Sequence, residues 1–383
     1  MKKTNGYQYV YTIAMIIISV KNILDTSELM KRPSWFDNLL LVAFLGCIGF
    51  KFCTQHFSLL KIILFLVTGV MVIYTCIHLN YFYLLITFLA MVSIQDVKLE
   101  EVIKQTARVK GVLLIIHIVY YFSLLVISPG SLSYSYRNGV KRHVFFMGHP
   151  NTFSMYVLWT TIEFLYAHHK KMKSYHIVLF WLINAITYYF TNSNTGIIVS
   201  TVTSILLYGY QKNSTKIMKI AHKGSRYCFL ACSIIFPLIS VCYVKLSGSA
   251  VELINKLDDI LTGRIMYGAY TYDVFGFTLL GRTITVPEKI YWRGVWFDGV
   301  VYDNAYIWLF VIYGSIYLVI FSIGFILISN QTTNMEKILI IAFAMYGIME
   351  GYIVNASICF PLLYLGKYLY QRKPGSTLKD RGI

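Results

Sequence analysis

Charged residues are scarce in this sequence. Only 13% of the 383 residues are Asp, Glu, Lys or Arg, whereas 57% are apolar. Soluble domains carry about 25% charged residues, so the composition excludes an ordinary soluble protein. The sequence instead predicts an all-α polytopic membrane protein, with residues 1–383 forming a single integral membrane domain.

Acidic residues are the scarcer of the two signs. The chain has 17 Asp and Glu against 34 Lys and Arg, a formal net charge of +17. In a soluble protein this excess would suggest a nucleic-acid partner. Here the basic residues lie mostly between apolar segments, so they indicate topology and contact with anionic lipid, and we expect no nucleic acid. A lipid phosphate or pyrophosphate ligand fits the same charge.

Closely spaced cysteines are absent as well. The seven cysteines lie in or at the ends of apolar runs, and no two form a Cys-x-x-Cys pair. They therefore predict neither disulfides nor a metal site. The sequence also lacks an internal repeat at a fixed period, which disfavours a transporter built from two matching halves.

Twelve apolar segments are candidate membrane helices. A spanning helix needs roughly 20 mostly apolar residues. The third and fourth segments are nearly fused and the last is short, so the prediction is about ten to twelve transmembrane helices. The segments are residues 7–24, 38–54, 58–77, 79–94, 111–128, 151–167, 175–191, 195–210, 227–245, 304–328, 337–356 and 357–370.

The basic residues predict the orientation of these helices. With a cytoplasmic N-terminus, basic connections such as 95–110 and 211–226 face the cytoplasm, where Lys and Arg accumulate. The alternation works through all twelve segments and places both termini, including the basic tail 371–383, in the cytoplasm. The outer loop 129–150 and the large loop 246–303 are then extracytoplasmic.

The front half of the large outer loop predicts an amphipathic helix. Ser249 followed by Glu252 matches a capping box. Leu257, Leu261 and Arg264 then recur at helical spacing, so one stripe carries both leucines and an arginine. A helix lying on the membrane either aims Arg264 at the bundle or lets it snorkel to the interface.

Three helices that begin on the outer side start with residues typical of N-caps. HPNT precedes the sixth segment, TNSNTG the eighth and YDNAY the tenth. Asn151, then Asn194 or Thr195, then Asp303 or Asn304 are the candidate caps. Helix N-termini present free N–H groups and the positive end of the helix dipole, so this end of the protein can hold a phosphate.

The order of these motifs resembles a known family. GHPN opens one helix, T-x-S-x-T-G opens the next but one, LTGR and FGFTLLGR lie in the large outer loop, DN-x-Y opens the helix after it, and Glu350 lies in the penultimate helix. Over residues 140–365 the chain is similar to the Wzy-type polymerases of O-antigen, capsular and exopolysaccharide repeat units, particularly their Gram-positive branch. The family turn usually reads T-x-S-R-T-G, so Asn194 stands here in place of an arginine.

The resemblance implies a fold, an activity and a location. It implies a GT-C-like glycosyltransferase in the bacterial cytoplasmic membrane that needs neither a metal nor a cofactor. Such enzymes transfer a growing glycan from undecaprenyl pyrophosphate to a hydroxyl of another lipid-linked repeat unit on the outer face. The implied ligands are undecaprenyl-pyrophosphate-linked oligosaccharide and membrane lipids, and the implied pathway partners are a chain-length regulator and a flippase.

The site prediction follows from that chemistry. The developing pyrophosphate charge calls for cations, and an acceptor hydroxyl can use a general base. The predicted substrate-binding residues are Arg137, Lys141, Arg142, Asn151, Asn194, Arg264, Arg282 and Asn304. The predicted catalytic residues are His149, Asp303 and Glu350, with His143 as a further base candidate. Lipid-headgroup contacts explain the loop cations equally well, and His149 has the alternative role of a helix cap.

Two other functions compete with the polymerase. A lipid-linked oligosaccharide flippase fits twelve helices with both ends inside, but it does not need a large outer loop rich in arginines and aromatics. An O-antigen-ligase-type transferase uses the same donor, and the sequence barely separates it from a polymerase. Charges that would favour transport are few inside the helices: Glu163 is expected to pair with a neighbouring helix, and His117 to form an interhelical hydrogen bond.

Overall fold

The apolar segments form helices in the computed structural model, which describes residues 3–137, 139–246, 248–285, 287–298 and 303–370. Within a bilayer no water satisfies the backbone N–H and C=O groups, so an apolar run closes its hydrogen bonds internally as a helix. Among the described residues, six helices are long and apolar enough to cross a membrane. The chain therefore has the make-up of a multi-pass membrane protein.

Short loops and two β-hairpins connect the helices. Helices α1 to α5 are Lys3–Thr26, Ser34–Cys53, Leu59–Leu79, Tyr83–Val92 and Leu99–Ile127. The first hairpin consists of β1, Tyr134–Arg137, and β2, Val140–His143. Helices α6 to α11 are Pro150–Ala167, Ser174–Thr191, Asn194–Gln211, Thr215–Lys245, Ser249–Ile260 and Arg264–Phe275. The second hairpin consists of β3, Lys289–Trp292, and β4, Val295–Asp298.

The last third of the chain is helical but interrupted. Helix α12, Ala305–Trp308, continues through a π-helical turn, Leu309–Gly314, into α13, Ser315–Ile328. Helix α14 is Asn334–Met349, and α15 is Leu363–Leu369. Single turns of 3₁₀-helix occur at Pro129–Ser131, His169–Lys171, Tyr352–Val354 and Phe360–Leu362.

Each of the twelve apolar segments coincides with helical structure, but several ends differ from the prediction. α5 begins at Leu99 rather than 111, and α9 at Thr215 rather than 227. Both helices begin before their apolar runs, within the basic connections, since Lys, Glu and Gln are good helix formers where the chain meets water. Six described helices are both long enough and apolar enough to cross a membrane, so the count of ten to twelve transmembrane helices stays a prediction. The basic tail 371–383 lies outside the described residues.

Between α14 and α15 the chain forms only two single turns of 3₁₀-helix and is otherwise irregular, although the sequence predicts two nearly continuous helices there. Glu350 leaves α14 with extended backbone angles, φ −146° and ψ 141°. The following backbone is satisfied from inside the protein: Thr87 Oγ1 donates to the Val354 carbonyl at 2.7 Å and accepts from Ala356 N–H at 2.9 Å. Pro361, which has no N–H, begins the last return to helix. Non-helical backbone is tolerated at membrane depth when protein groups satisfy it in this way.

Polar groups gather at two opposite ends of the bundle. At the far end of α6, Tyr166 Oη donates to buried Glu336 at 3.1 Å, and Lys367 pairs with the same carboxylate at 2.6 Å. At the near end, the starts of α6, α8 and α12 meet the end of α14, where Glu350 and Asn304 lie. This grouping matches the predicted alternation of these four helices.

One ion pair lies deep inside the bundle. Lys110 of α5 donates to Glu163 of α6 at 2.6 Å, and the two side chains are only 2% and 1% exposed. Lys110 also donates to the carbonyl of Ser357 in the non-helical segment. The predicted pairing of Glu163 with a neighbouring helix is thus confirmed, and Lys110 belongs to α5 rather than to a loop. His117 is hydrogen-bonded at 2.9 Å to Ser27, the residue that follows α1, so the expected interhelical bond is made to the connection after that helix.

The amphipathic region of the large loop folds as two helices rather than one. Ser249 is the first residue of α10, and Gly248 occupies the N-cap position. No described side chain makes a capping hydrogen bond there, so the predicted capping box is wrong. The chain breaks at Gly263, which adopts φ +83°, a conformation that glycine reaches without strain. Arg264 therefore opens α11 and is buried against the bundle, one of the two orientations that the sequence left open.

Breaking the Lys110–Glu163 pair should destabilise the protein strongly. A buried charge left without its partner costs about 3–5 kcal/mol, so Lys110→Met should lower the free energy of unfolding in detergent by that amount. The double variant Lys110→Met/Glu163→Leu should recover most of the loss. Lys170→Met, which breaks the exposed 3.0 Å pair with Glu100, is the control and should cost below about 1 kcal/mol. A double variant no more stable than Lys110→Met alone would contradict the assigned role of the pair.

Candidate functional site

A cavity of about 420 Å³ lies where α6 and α11 begin and α14 ends. Its lining comes from the first hairpin, the three helix ends and the segment before α12, which are far apart in sequence. The lining residues are Arg137, Arg142, His149, Asn151, Thr152, Thr262, Arg264, Tyr267, Asp303, Glu350 and Tyr352. Seven of them are predicted site residues, so the fold brings most of the predicted site into one space.

The first hairpin decides which of its cations reach the cavity. Arg137 pairs with Val140 across the hairpin, and Arg142 follows two residues later. Successive residues of a strand point to opposite faces and paired residues to the same face, so Arg137 and Arg142 share one face and Lys141 lies on the other. Lys141 is exposed and holds its ammonium 3.5 Å from the centre of the Tyr134 ring. Lys141 therefore lies outside the cavity.

Arg142 is buried and holds several helices together. Its Nε donates to the Thr191 carbonyl at 2.7 Å, and its Nη2 donates to Asn151 Oδ1 at 2.7 Å. Asn151 in turn donates through Nδ2 to Glu350 Oε1 at 3.4 Å, and Thr195 Oγ1 donates to the same oxygen at 3.0 Å. This network joins the hairpin, the starts of α6 and α8, and the end of α14.

His149, rather than Asn151, is the N-cap of α6. Its Nδ1 accepts a hydrogen bond from Asn151 N–H at 3.2 Å, so the proton of the neutral ring is on Nε2. Although the side chain is exposed at the rim, partial desolvation lowers the pKa of His149 from 6.5, and the charges of Arg142 and Arg137 lower it further. In this conformation the ring is a neutral donor, which disfavours the predicted role as general base.

Arg264 makes the densest set of contacts in the cavity. Its Nε donates to the Met349 carbonyl at 3.0 Å, and its Nη1 donates to the Leu261 carbonyl at 2.9 Å and to the hydroxyl of Thr262. Its Nη2 pairs with Asp303 Oδ2 at 3.2 Å. The side chain is 8% exposed, so a charge this buried needs these partners. Arg264 thereby fixes the end of α14 and the segment before α12.

Asp258 sets the start of α11, and sequence reasoning missed it. The carboxylate of Asp258 accepts from Ile265 N–H at 2.6 Å and from Met266 N–H at 3.1 Å. It therefore caps α11 from the preceding helix, next to Arg264. Burial raises the pKa of Asp258, and the two N–H bonds oppose that rise. The position reads as an exposed helical acid in the sequence, because the break at Gly263 that folds α11 back onto it has no periodic signal.

Asp303 and Asn304 have different roles, a choice that the sequence left open. Asn304 caps α12, accepting from Tyr306 N–H at 3.0 Å and Ile307 N–H at 3.1 Å, and donates to the Ile348 carbonyl at 3.0 Å. Asp303 lines the cavity beside Arg264 and is 29% exposed. Desolvation raises the pKa of Asp303, while Arg264 and Arg137 lower it. Of these two residues, Asp303 thus faces the cavity, where Glu350 is the other lining carboxyl group, and Asn304 caps α12.

The remaining predicted residues lie outside the cavity lining. Arg282 donates to the carbonyls of Phe275 and Phe277, the latter at 2.7 Å, and so closes its own loop. Asn194 is the first residue of α8, but its neighbour Thr195 makes the contact with Glu350, because consecutive helical residues point about 100° apart. His143 is hydrogen-bonded to Tyr121 on the opposite face of the hairpin from Arg142.

Four lining residues were not predicted. Thr262 lies in the tight α10–α11 turn with φ +57°, and Thr152, Tyr267 and Tyr352 adjoin predicted positions without carrying a charge themselves. Hydroxyl side chains are common in any loop or helix. Only their closeness in sequence to the predicted residues Arg264, Asn151 and Glu350 could have indicated these four.

The cavity is suited to an anion. Three arginines against two carboxyl groups leave one net positive charge when both carboxyls are ionised, since His149 is neutral. Arg142 and Arg264 are largely occupied by protein acceptors. Arg137 makes no ion pair with any carboxylate in the described part of the chain, so its planar fork remains available. An oxyanion with several acceptors would complete the site.

Comparison with known proteins adds no assignment. The chain matches no protein-family model, no curated protein and no solved structure. The family resemblance therefore rests on the order of the motifs, and the function on the chemistry of the cavity.

Replacing His149 by asparagine should change how stability depends on pH. Asparagine is a preferred N-cap, so His149→Asn should keep the start of α6. Because the folded state holds the pKa of His149 below 6.5, the unfolded state binds more protons as the pH falls below that value, and the wild type loses stability there. Melting temperatures in detergent, measured from about pH 8 to pH 5, should therefore fall more steeply for the wild type than for His149→Asn. Parallel curves would show that the imidazole is not held neutral.

Proposed function

We propose that this protein is a polysaccharide polymerase that joins oligosaccharide repeat units carried on undecaprenyl pyrophosphate, at the outer face of the bacterial cytoplasmic membrane. The observation that carries the proposal is the meeting of Arg137, Arg142 and Arg264 with Asp303 in one open cavity at one end of a helical membrane bundle. Cations for a pyrophosphate and a carboxylate for an acceptor hydroxyl are the groups that this reaction needs.

The pyrophosphate of the donor binds among the arginines. Arg137 supplies a fork without a carboxylate partner among the described residues, and Arg142 and Arg264 add charge from fixed positions. Arg142 also contacts the carbonyl of Thr191, the first residue of the TNSNTG turn. It thereby places a cation beside the turn in which the family carries an arginine and this chain carries Asn194.

The reaction is a displacement at the anomeric carbon of the donor glycan. The acceptor hydroxyl oxygen forms a bond to that carbon while the bond from the carbon to the pyrophosphate oxygen breaks. Undecaprenyl pyrophosphate leaves with the electron pair, and fixed arginines stabilise its charge. The hydroxyl proton passes to the carboxylate of Asp303, which is reachable from the cavity and made more basic by partial desolvation.

Glu350 serves to position the site rather than to take the proton. Its Oε1 is already bonded by Asn151 and Thr195, and its side chain is 2% exposed. In this arrangement the Glu350 carboxylate orients Asn151, and Asn151 in turn orients Arg142. His149, with its proton on Nε2, serves as a hydrogen-bond donor to the substrate.

The bundle carries this chemistry at its extracytoplasmic end, with ten to twelve transmembrane helices and both termini in the cytoplasm. The buried charges of Lys110 and Glu163 favour an enzyme over a flippase, because they are paired with each other and so are not free to contact a transported substrate. A flippase and a chain-length regulator would act before and beside this protein, and membrane lipids surround it.

Deleting the gene should leave single repeat units and remove long chains. The units should accumulate on lipid, or appear singly at the surface, because they are made and exported but not joined. Labelling of intact cells with a membrane-impermeant sugar-reactive probe would place them on the outer leaflet. Accumulation on the cytoplasmic leaflet would instead identify a flippase.

Removing Arg137 should reduce chain elongation about 100-fold, as expected for loss of one preorganised group on a developing anion. Arg137→Gln is compared with Lys141→Gln on the same hairpin, which removes the same charge from the face that the cavity does not use. Chain length and amount are read on gels from cells with equal amounts of each protein in the membrane. Equal losses in the two variants would show that only the loop charge matters.

The two carboxylates should respond differently to amide substitution. Asp303→Asn removes the base and should lower elongation by about 10²-fold or more, with loss of the acidic limb of the pH profile, which is the fall in activity that protonation of the base causes. Glu350→Gln keeps an oxygen that accepts from Thr195 and Asn151, so it should retain activity with an unchanged pH profile. The reverse order of effects would assign the base to Glu350.

A further inference from the structure

An apolar groove lies on the bundle far from the arginine cavity. It holds about 580 Å³ and is bounded by the end of α2, the start of α3 and the end of α4. Every side chain that lines it is apolar, with Phe57, Phe65 and Phe88 among them. Gly49 lines the wall formed by α2, and a Cβ added there would meet no atom within 4 Å. The groove is therefore an unfilled space between helices rather than a packed seam.

A polar side chain belongs to the loop at one end of this groove. The α2–α3 connection carries Gln55 between the lining residues Phe52 and Phe57, and both polar atoms of its amide are buried with no hydrogen-bond partner in the described part of the chain. A buried amide without partners costs free energy, so a ligand that formed a hydrogen bond with it would stabilise this loop. The amide can donate to an anion through its NH₂.

A cation lies at the same end. Lys61, one residue before the lining residue Ile62, holds its ammonium 4.6 Å from the centre of the Tyr370 ring. The Tyr370 ring lies 6.3 Å from that of Phe65, which places Lys61 at the rim of the groove. Lys61 makes no ion pair with a carboxylate of the described residues. Lys51 is also near, but it is buried and donates to the Gln95 carbonyl at 2.9 Å, close to Asp96.

We propose that the groove between α2, α3 and α4 binds one anionic glycerophospholipid, with an acyl chain along the phenylalanines and the headgroup phosphate between Lys61 and the Gln55 amide. An apolar channel that ends in a cation and an unsatisfied donor is complementary to an amphiphile with a charged end. The basic loops predict that this end faces the cytoplasm, whose leaflet is rich in anionic lipid. This site is independent of the proposed polymerase reaction.

The site predicts a single, saturable lipid adduct. The purified full-length protein in detergent is titrated with phosphatidylglycerol or with phosphatidylcholine of the same acyl chains, and native mass spectrometry counts the retained lipids. One phosphatidylglycerol should be retained at concentrations where phosphatidylcholine is lost. Lys61→Gln should weaken its retention about fivefold, the effect of one lysine near an anionic headgroup.

Matched variants separate the groove from general lipid contact. Gly49→Leu places a side chain in the groove, at a position where an added Cβ meets no atom within 4 Å, and should abolish the adduct. Gly46→Leu, on the same helix with equally open space around its Cβ but outside the groove, should leave the adduct unchanged. Lys216→Gln, on the exposed start of α9, is the charge control. Equal retention of the two lipids, or an unaltered adduct in Gly49→Leu, would overturn the proposal. A protein dimer without lipid would show that the groove instead binds a second copy.

Discussion

The cavity depends on the hydrogen bonds and the ion pair of the buried Arg264 guanidinium. A charge that is almost removed from water must be matched by protein acceptors, and Arg264 finds them in the α10–α11 turn, the end of α14 and Asp303. Those three segments are separated by long stretches of sequence. Because Arg264 bonds to acceptors in all three segments, it fixes their positions relative to one another. The cavity is the space between these segments.

Breaks in helices make this arrangement possible. The bundle could bury its apolar surface with uninterrupted helices, but then no polar backbone would face the cavity. α14 stops at Met349, whose free carbonyl accepts from Arg264, and the segment beyond it is anchored by Thr87 and Lys110. The buried Lys110–Glu163 pair thus helps to hold in place the segment that follows Glu350. Its cost in desolvation is offset only while both partners and the Ser357 carbonyl are present.

The sequence predicts the helices well and the site in part, for physical reasons. Long apolar runs in a bilayer usually close their backbone hydrogen bonds as helices, so most helix positions are readable, whereas the irregular backbone after Met349 is not. The cations at one predicted end are readable too, and Arg142, Asn151 and Asp303 do meet. Of the predicted caps only Asn304 is confirmed, because His149 caps α6 and Ser193 precedes α8. The sequence cannot show which face of the first hairpin a cation occupies, which separates Arg137 from Lys141. Nor can it show Arg282 turning back to the carbonyls of its own loop, because backbone acceptors carry no sequence signal.

In the proposed function, the three arginines of the cavity divide structural and binding roles. Arg142 and Arg264 spend most of their donors on protein carbonyls and side chains, which holds them rigid but leaves few N–H groups for a ligand. Arg137 lies on the same hairpin face as Arg142 and has no carboxylate partner among the described residues. A preorganised positive field from the two fixed guanidiniums, together with one unoccupied fork, suits an anion whose charge grows during reaction. Substitution of Arg142 or Arg264 would disturb folding and binding together, so Arg137 is the position at which binding can be separated from structure.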